Sequence, residues 1–227
     1  MAKSIYAKEK PMRTLAANTF VSLDGVMQAP GGPHEDPTGG FTKGGWAVNY
    51  FDEEMMDRIS GGGPYELLLG RGTYEIFAAH WPYDEGPIAD HLNSTRKHVA
   101  STTLDRVEWN NSTLISGDVA EYVEALKREE GPEIQVHGSP GLIQTLLEHD
   151  LIDEFRMWIF PVALGTGKRL FGDGTIPVAL RLVDSSVSKT GVTSNTYARA
   201  GEIEIGEMDF EEPTEAELKR RQRLAAG

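Results

Sequence analysis

The sequence predicts an α/β fold built on one mixed, mostly parallel sheet that closes with an antiparallel hairpin. Three observations predict it. Helix-period and strand-period segments alternate from about residue 14 to residue 150. Tyr65–Leu69 is a short apolar run closed by Gly70, the pattern of a strand buried on both faces. After Asp150 the helical signals stop, and two strand-like stretches flank Thr190-Gly191, a hairpin turn. Strand–helix–strand units imply parallel strands joined by right-handed crossovers, and the hairpin adds antiparallel strands at one edge.

The elements follow in order. A strand covers about 14–22, and a long Gly/Pro-rich loop then runs to about Gly45. A helix near 51–60 places Phe51, Met55, Met56 and Ile59 on one face. After the strand ending at Leu69, Thr73 is positioned to cap a helix carrying Tyr74, Ile76 and Phe77, and there is room for a further helix before Lys97. Lys97–Ser101 and Thr113–Ser116 read as strands. Asp118 and Glu121 form a capping box that opens a helix over Val119–Glu129. Glu133–His137 is the next strand, and Ser139-Pro140 supplies an N-cap and a first-turn proline for a helix through Leu142, Ile143, Leu146 and Leu147. Asp153–Leu164 is a long strand and Gly165-Thr166-Gly167 a turn. Val178–Lys189 and Val192–Ala200 form the hairpin.

Composition narrows function. The 227 residues hold 22 basic and 35 acidic side chains, a net charge of −13, which disfavours a nucleic-acid binder. With no Cys there are no disulfides, thiolate metal sites or Cys nucleophile. No apolar run is long enough to span a bilayer, and the Lys-rich start has no apolar leader core, so a soluble cytoplasmic protein is expected, with no membrane partner. The six histidines show no metal-ligand spacing, and no G-x-S-x-G elbow is present. Residues 1–12 read as a flexible N-terminus, 13–200 as one domain, and 201–227 as a charged C-terminal arm.

In open parallel sheets ligands bind beyond the carboxyl ends of the strands. Those ends lie just after Ser22, Leu69, Ser101, Ser116 and His137. Gly70-Arg71-Gly72-Thr73 offers close backbone approach, a guanidinium fork and a hydroxyl at a helix start, all suited to phosphate. A tight turn with a surface arginine is the alternative. Gly138-Ser139-Pro140-Gly141-Leu142 opens another helix, and Ser101-Thr102-Thr103 is a third polar end. Together they suggest an extended ligand with several phosphates.

These residues also carry a resemblance. Gly70-Arg71-Gly72-Thr73-Tyr74-Glu75 resembles the Gly-Arg-x-Thr-Trp-Glu segment of dihydrofolate reductases. Ser22-Leu23-Asp24-Gly25 is similar to the Ser-Leu-Asp-Gly signature of the reductase domain in the bifunctional riboflavin-biosynthesis deaminase/reductase. Leu151–Arg156 and Pro161–Phe171 are similar to a stretch that both families share. The likeness runs over about residues 13–200 and is greatest to the stand-alone, riboflavin-reductase-like branch of the dihydrofolate reductase superfamily. It implies a three-layer α-β-α fold and an NADPH cofactor. Arg71 would contact the adenosine 2′-phosphate, shared with Ser101 and Thr102. Thr73 would cap the pyrophosphate with Gly70, Gly138, Ser139, Gly141 and Leu142, while Ser116 and Gly117 would lie near the adenine.

Asp24 is the candidate catalytic residue, polarising or protonating the hydride acceptor; an Asp-Gly turn pair is the alternative. Ser22 and Trp46 are candidate substrate contacts. Trp46 would stack on a flat heterocycle at the exit of a loop able to close as a lid. The implied activity is NADPH-dependent reduction of a pyrimidine- or pterin-like substrate, resembling 5-amino-6-(5-phosphoribosylamino)uracil reductase. A non-catalytic NADPH-binding module and a flavin-handling oxidoreductase are the alternatives. Asp52 and Glu53 read as structural first-turn acids where dihydrofolate reductases place a pterin-binding carboxylate. A homodimer through the edge hairpin or through the long strand Phe155–Ala163 is expected.

Overall fold

The computed structural model describes residues 12–172, 175–206, 208 and 212–226. Most of the N-terminal segment, and parts of the C-terminal arm, lie outside the described residues. The elements are β1 (Leu15–Ser22), α1 (Glu53–Ser60), β2 (Tyr65–Gly70), α2 (Arg71–His80), α3 (Pro87–Ser94), β3 (Lys97–Ala100) and β4 (Ser112–Ile115). They continue with α4 (Val119–Arg128), β5 (Glu133–His137), α5 (Pro140–Glu148), β6 (Glu154–Phe160), β7 (Leu180–Val187), β8 (Thr193–Arg199) and α6 (Glu215–Ala225). Among the described residues, the strands form one sheet in the order β4-β3-β2-β5-β1-β6-β8-β7. The pairs from β4 to β6 are parallel, and β8 runs antiparallel to both β6 and β7. The expected parallel sheet with a closing hairpin is what forms.

The central strands are apolar because both of their faces are buried. Leu67, Leu68 and Leu69 are each 0% exposed; burying such a side chain contributes about 1.5–3 kcal/mol. On one face, Leu15, Ala17, Ile134 and Val136 pack under Val123 and Leu126 of α4 and Ile143 and Leu146 of α5. The opposite face is covered in two separate places. Tyr74 of α2 and Leu92 of α3 lie with Leu67, Leu69 and Val99, and Met55 of α1 lies with Phe20, Trp158 and Phe160 near the carboxyl ends of β1 and β6. Helices on both sides of the sheet make three layers.

Local chemistry sets several boundaries. Asp52 caps α1 through one carboxylate oxygen, which accepts from the Met55 N–H at 2.8 Å; its other oxygen is buried with no hydrogen-bond partner among the described residues. Asp118 caps α4 through the Glu121 N–H at 2.9 Å. Three expectations are corrected. Helix α2 starts at Arg71 with Gly70 as its N-cap, so Thr73 lies inside the first turn and does not cap the helix. Ser139 does stand at the N-cap of α5, but in the left-handed region (φ 58°) and without a capping bond from its side chain. Strand β6 stops at Phe160: Pro161 has no N–H to give the sheet, and the Val162 N–H turns back to the Phe160 carbonyl at 2.8 Å.

The long loop after β1 is not structureless. Val26 forms an antiparallel bridge with Arg169, and the Met27 N–H donates to the Lys168 carbonyl at 2.8 Å. The Gln28 amide nitrogen donates to the carbonyls of Asp36 (3.0 Å) and Thr38 (2.9 Å), while its oxygen accepts from the Lys168 N–H (3.0 Å). Gly167 lets this happen. Its φ is +132°, and a Cβ there would meet Val26 Cγ1 at 2.6 Å and the Phe41 ring at 3.1 Å.

Candidate active site

The ends of β2, β3 and β5 bring the predicted phosphate-binding residues together. Arg71 opens α2 directly from the end of β2. Its exposed guanidinium donates to the Thr103 hydroxyl at 3.0 Å and lies 3.9 Å from the Glu75 carboxylate. Ser101 closes the turn after β3: its hydroxyl accepts from the N–H groups of Thr103 (3.1 Å) and Leu104 (3.0 Å). Thr102, between them, is exposed. Arg71 and the 101–103 hydroxyls thus share one corner, with most of the guanidinium's donors uncommitted.

The second corner joins the β2–α2 and β5–α5 connections. Gly138 has φ +57° and a Cβ there would lie 3.2 Å from the Thr73 hydroxyl, so the two backbones approach closely. The Ser139 N–H donates to that hydroxyl at 2.9 Å. Gly141 is open, since a Cβ there would meet nothing within 4 Å. The Leu142 side chain is instead buried in the core and offers the corner only its backbone. Ser116 and Gly117 follow β4, and Ser116 is exposed.

Asp24 sits at the end of β1 in a dense set of donors. Its carboxylate accepts from the Ser22 hydroxyl (2.6 Å) and from the N–H groups of Leu164 (3.0 Å) and Gly165 (2.8 Å), with an Arg169 nitrogen at 3.7 Å. The Ser22 hydroxyl and the Leu164 N–H hold its pKa down, at about 2. A carboxyl so held is ionised at neutral pH and has no proton to give. Ser22 is buried, its hydroxyl also accepting from the Val26 N–H at 2.9 Å. The Trp46 indole N–H donates to the Gln28 carbonyl at 2.8 Å, and its ring packs edge-on against Phe160. Both residues are therefore tied into the loop. Lys168 pairs with Asp36 at 2.6 Å, and Arg169 donates to the carbonyls of Asp24 and Gly165.

The sequence reading missed a polar strip on the face that α1, α2 and α3 leave open. Glu133, Gln135 and His137 of β5 alternate with the core residues Ile134 and Val136. Asn18 of β1 and Arg156 of β6 flank them. The signal was present: a period-two polar pattern in a central parallel strand means that one of its faces is not packed under a helix. Among the described residues no cluster of three or more His, Asp or Glu side chains is placed to hold a metal ion, and no helix is long and apolar enough to cross a membrane.

This architecture is that of dihydrofolate reductase. The dihydrofolate reductase of Enterococcus faecalis, solved with NADP(H), superposes with a TM-score of 0.52 at 17% identity, covering 82% of this chain and 96% of that one. A diaminohydroxyphosphoribosylaminopyrimidine deaminase/5-amino-6-(5-phosphoribosylamino)uracil reductase from Thermotoga maritima gives 0.53 at 14% identity, covering 83% of this chain and 57% of that one. By sequence, residues 13–194 match the RibD C-terminal domain, and the chain belongs to that family. The Bacillus subtilis protein YyaP is 28% identical over 194 residues, 82% of this chain and 94% of YyaP.

Proposed function

We propose that the chain is an NADPH-dependent reductase of a small heterocycle. The observation that carries this is the corner where Arg71 meets Ser101, Thr102 and Thr103. A planar fork with donors to spare, among hydroxyls and next to a helix start, suits a phosphate dianion better than a ribose diol. The RibD-type family membership and the NADP(H)-bound fold relative support the same reading. The residues present fit the cofactor: Arg71, Ser101 and Thr102 would hold its 2′-phosphate, and Thr73, Gly138, Ser139 and Gly141 its pyrophosphate. When bound, the nicotinamide supplies the hydride.

The chain's own part is orientation and exclusion of water. The ionised Asp24 is a positioning residue, fixing the β1 end against the 164–165 backbone. A fluorescence titration with NADPH and NADH tests the proposal. Arg71→Ala is expected to weaken NADPH binding by about tenfold or more, the worth of a charge-assisted contact, and to leave NADH unchanged. Equal affinities for the two nucleotides in the unaltered protein would overturn it. A second reading is NADPH binding without turnover: the Asp52 carboxylate at the start of α1 spends one oxygen as an N-cap, while its other oxygen is buried with no hydrogen-bond partner among the described residues. Binding without loss of NADPH absorbance across a panel of heterocycles would select it.

A further inference from the structure

We propose that the open strip of sheet between α1 and the α2–α3 pair recognises an uncharged planar heterocycle through a ring N–H, with His137 Nδ1 as the acceptor and the Tyr65 hydroxyl as a matching donor. This deepens the reductase reading and rests on it, because the strip adjoins the strand ends assigned there to the cofactor.

The protonation pattern follows from the hydrogen bonds. Gln135 donates its amide nitrogen to the Glu133 carboxylate, so its oxygen is the atom that meets His137 Nε2 at 2.8 Å. A carbonyl oxygen only accepts, so Nε2 carries the hydrogen and Nδ1 of the neutral ring bears a lone pair. Among the described residues Nδ1 has no hydrogen-bond partner, nor has the Tyr65 hydroxyl, and neither is a sealed, unsatisfied atom. The two rings lie 5.5 Å apart. Burial pushes His137 down to about 4, helped by His91 and Arg156 and opposed by Glu133. Burial pushes Tyr65 up to about 12. Across the neutral range the strip therefore offers one fixed acceptor and one fixed donor.

Charge then selects against phosphorylated ligands. Arg156 is the cation of the strip, and both of its faces are spent: it bonds Glu133 at 2.7 and 2.8 Å and Glu154 at 2.8 and 3.2 Å. One guanidinium against two carboxylates leaves a net negative charge, the opposite of the Arg71 corner. An anion laid on the strip would face those carboxylates, while a neutral lactam would meet matched partners.

Calorimetric titration in neutral buffer, with and without saturating NADPH, tests this with lumazine and with 1,3-dimethyllumazine, whose ring N–H groups are blocked. Lumazine is expected to bind at least about tenfold more tightly than the dimethyl compound, because an unmatched buried acceptor is left when the N–H is missing. His137→Phe is expected to erase that difference, and His137→Gln, which restores an acceptor oxygen, to recover part of it. Nitrogen NMR of the unaltered protein reads the ring directly: a bare Nδ1 and a protonated Nε2 are expected at neutral pH. Equal binding of the two compounds, an unchanged ratio in His137→Phe, or an imidazolium at neutral pH would overturn the inference. NADPH binding in the same samples separates the two proposals: lumazine failing while NADPH binds sinks this inference alone, and NADPH failing while lumazine binds sinks the cofactor reading.

Discussion

The Thr73 hydroxyl and the Ser139 backbone N–H, 66 residues apart, are joined by a 2.9 Å hydrogen bond that ties the start of α2 to the start of α5. A second bond crosses it, from the Gly70 N–H to the Ser139 hydroxyl at 2.9 Å, and that hydroxyl donates on to the His137 carbonyl at 3.1 Å. Ser139 is buried, so its left-handed backbone and its hydroxyl are held by the same clamp.

Removing that hydroxyl leaves the Gly70 N–H unpaired. Ser139→Ala is expected to cost about 1–3 kcal/mol, the range for orphaning a buried donor, visible as a lower urea midpoint with an unchanged slope. NADPH affinity is expected to fall with it, since both proposed pyrophosphate loops lose a common anchor. A variant as stable as the parent would show that the clamp is idle.

Asp24 predicts an acid limb of stability. Its folded pKa lies below the ordinary carboxylate value, at about 2 against 3.8. The folded state therefore binds this proton less readily than the unfolded chain. Its contribution is fully present above pH 3.8 and is lost as pH falls through about 2. Melting temperatures of the parent and Asp24→Asn are expected to differ most near neutrality and to converge across that acid window. A gap that stays constant down to pH 2 would assign the effect to shape, not charge.

Lys97 is fully buried, with its ammonium on the carbonyls of Thr95 (2.6 Å), Asn110 (3.0 Å) and Asn93 (3.4 Å) and 4.1 Å from the centre of the Trp109 ring. Burial lowers its pKa to about 8. The unfolded chain thus holds this proton more tightly than the fold does, and stability from this group rises between pH 8 and 10.5. Lys97→Met is expected to remove that rise and to destabilise by about 1–3 kcal/mol, because the Thr95 and Asn110 carbonyls lose their donor, while the Asn93 carbonyl keeps the Asn111 side-chain amide at 3.1 Å. Denaturant titrations at neutral and alkaline pH read both effects.

The local features that were legible in the sequence are those decided by neighbours along the chain. Leu67–Leu69 announces a doubly buried strand wherever it lies, and Asp118 caps α4 by bonding a residue three positions on. Strand β5 occupies the same residues, Glu133–His137, that its pattern indicates. Features decided across the fold were not legible. Thr73 looks like a helix cap until Ser139 is brought to it, and the loop after β1 looks unstructured until Lys168 meets Gln28 and Asp36. The polar strip required knowing which face the helices leave bare. Its alternation was written in Glu133, Gln135 and His137, but only the sheet order puts Asn18 and Arg156 beside them.

The sheet's outer hairpin carries the last prediction. Strand β7 is an edge, and Leu182, Val183 and Val187 on it are 52%, 51% and 64% exposed. Scattered single apolar residues need no partner, but three on one unprotected edge strand do invite one. The bulge between Leu182 and Asp184 breaks the register of that strand, which hinders edge-to-edge strand pairing and favours packing through side chains. We propose a second copy of this chain as the cover. Light scattering after size exclusion is expected to give twice the chain mass for the parent and the single mass for Leu182→Glu with Val187→Glu, with NADPH binding retained because Arg71 lies on the far side of the sheet order, at β2. A parent that runs as a single chain at high concentration would reject the dimer, and a double variant that stays paired would move the interface elsewhere.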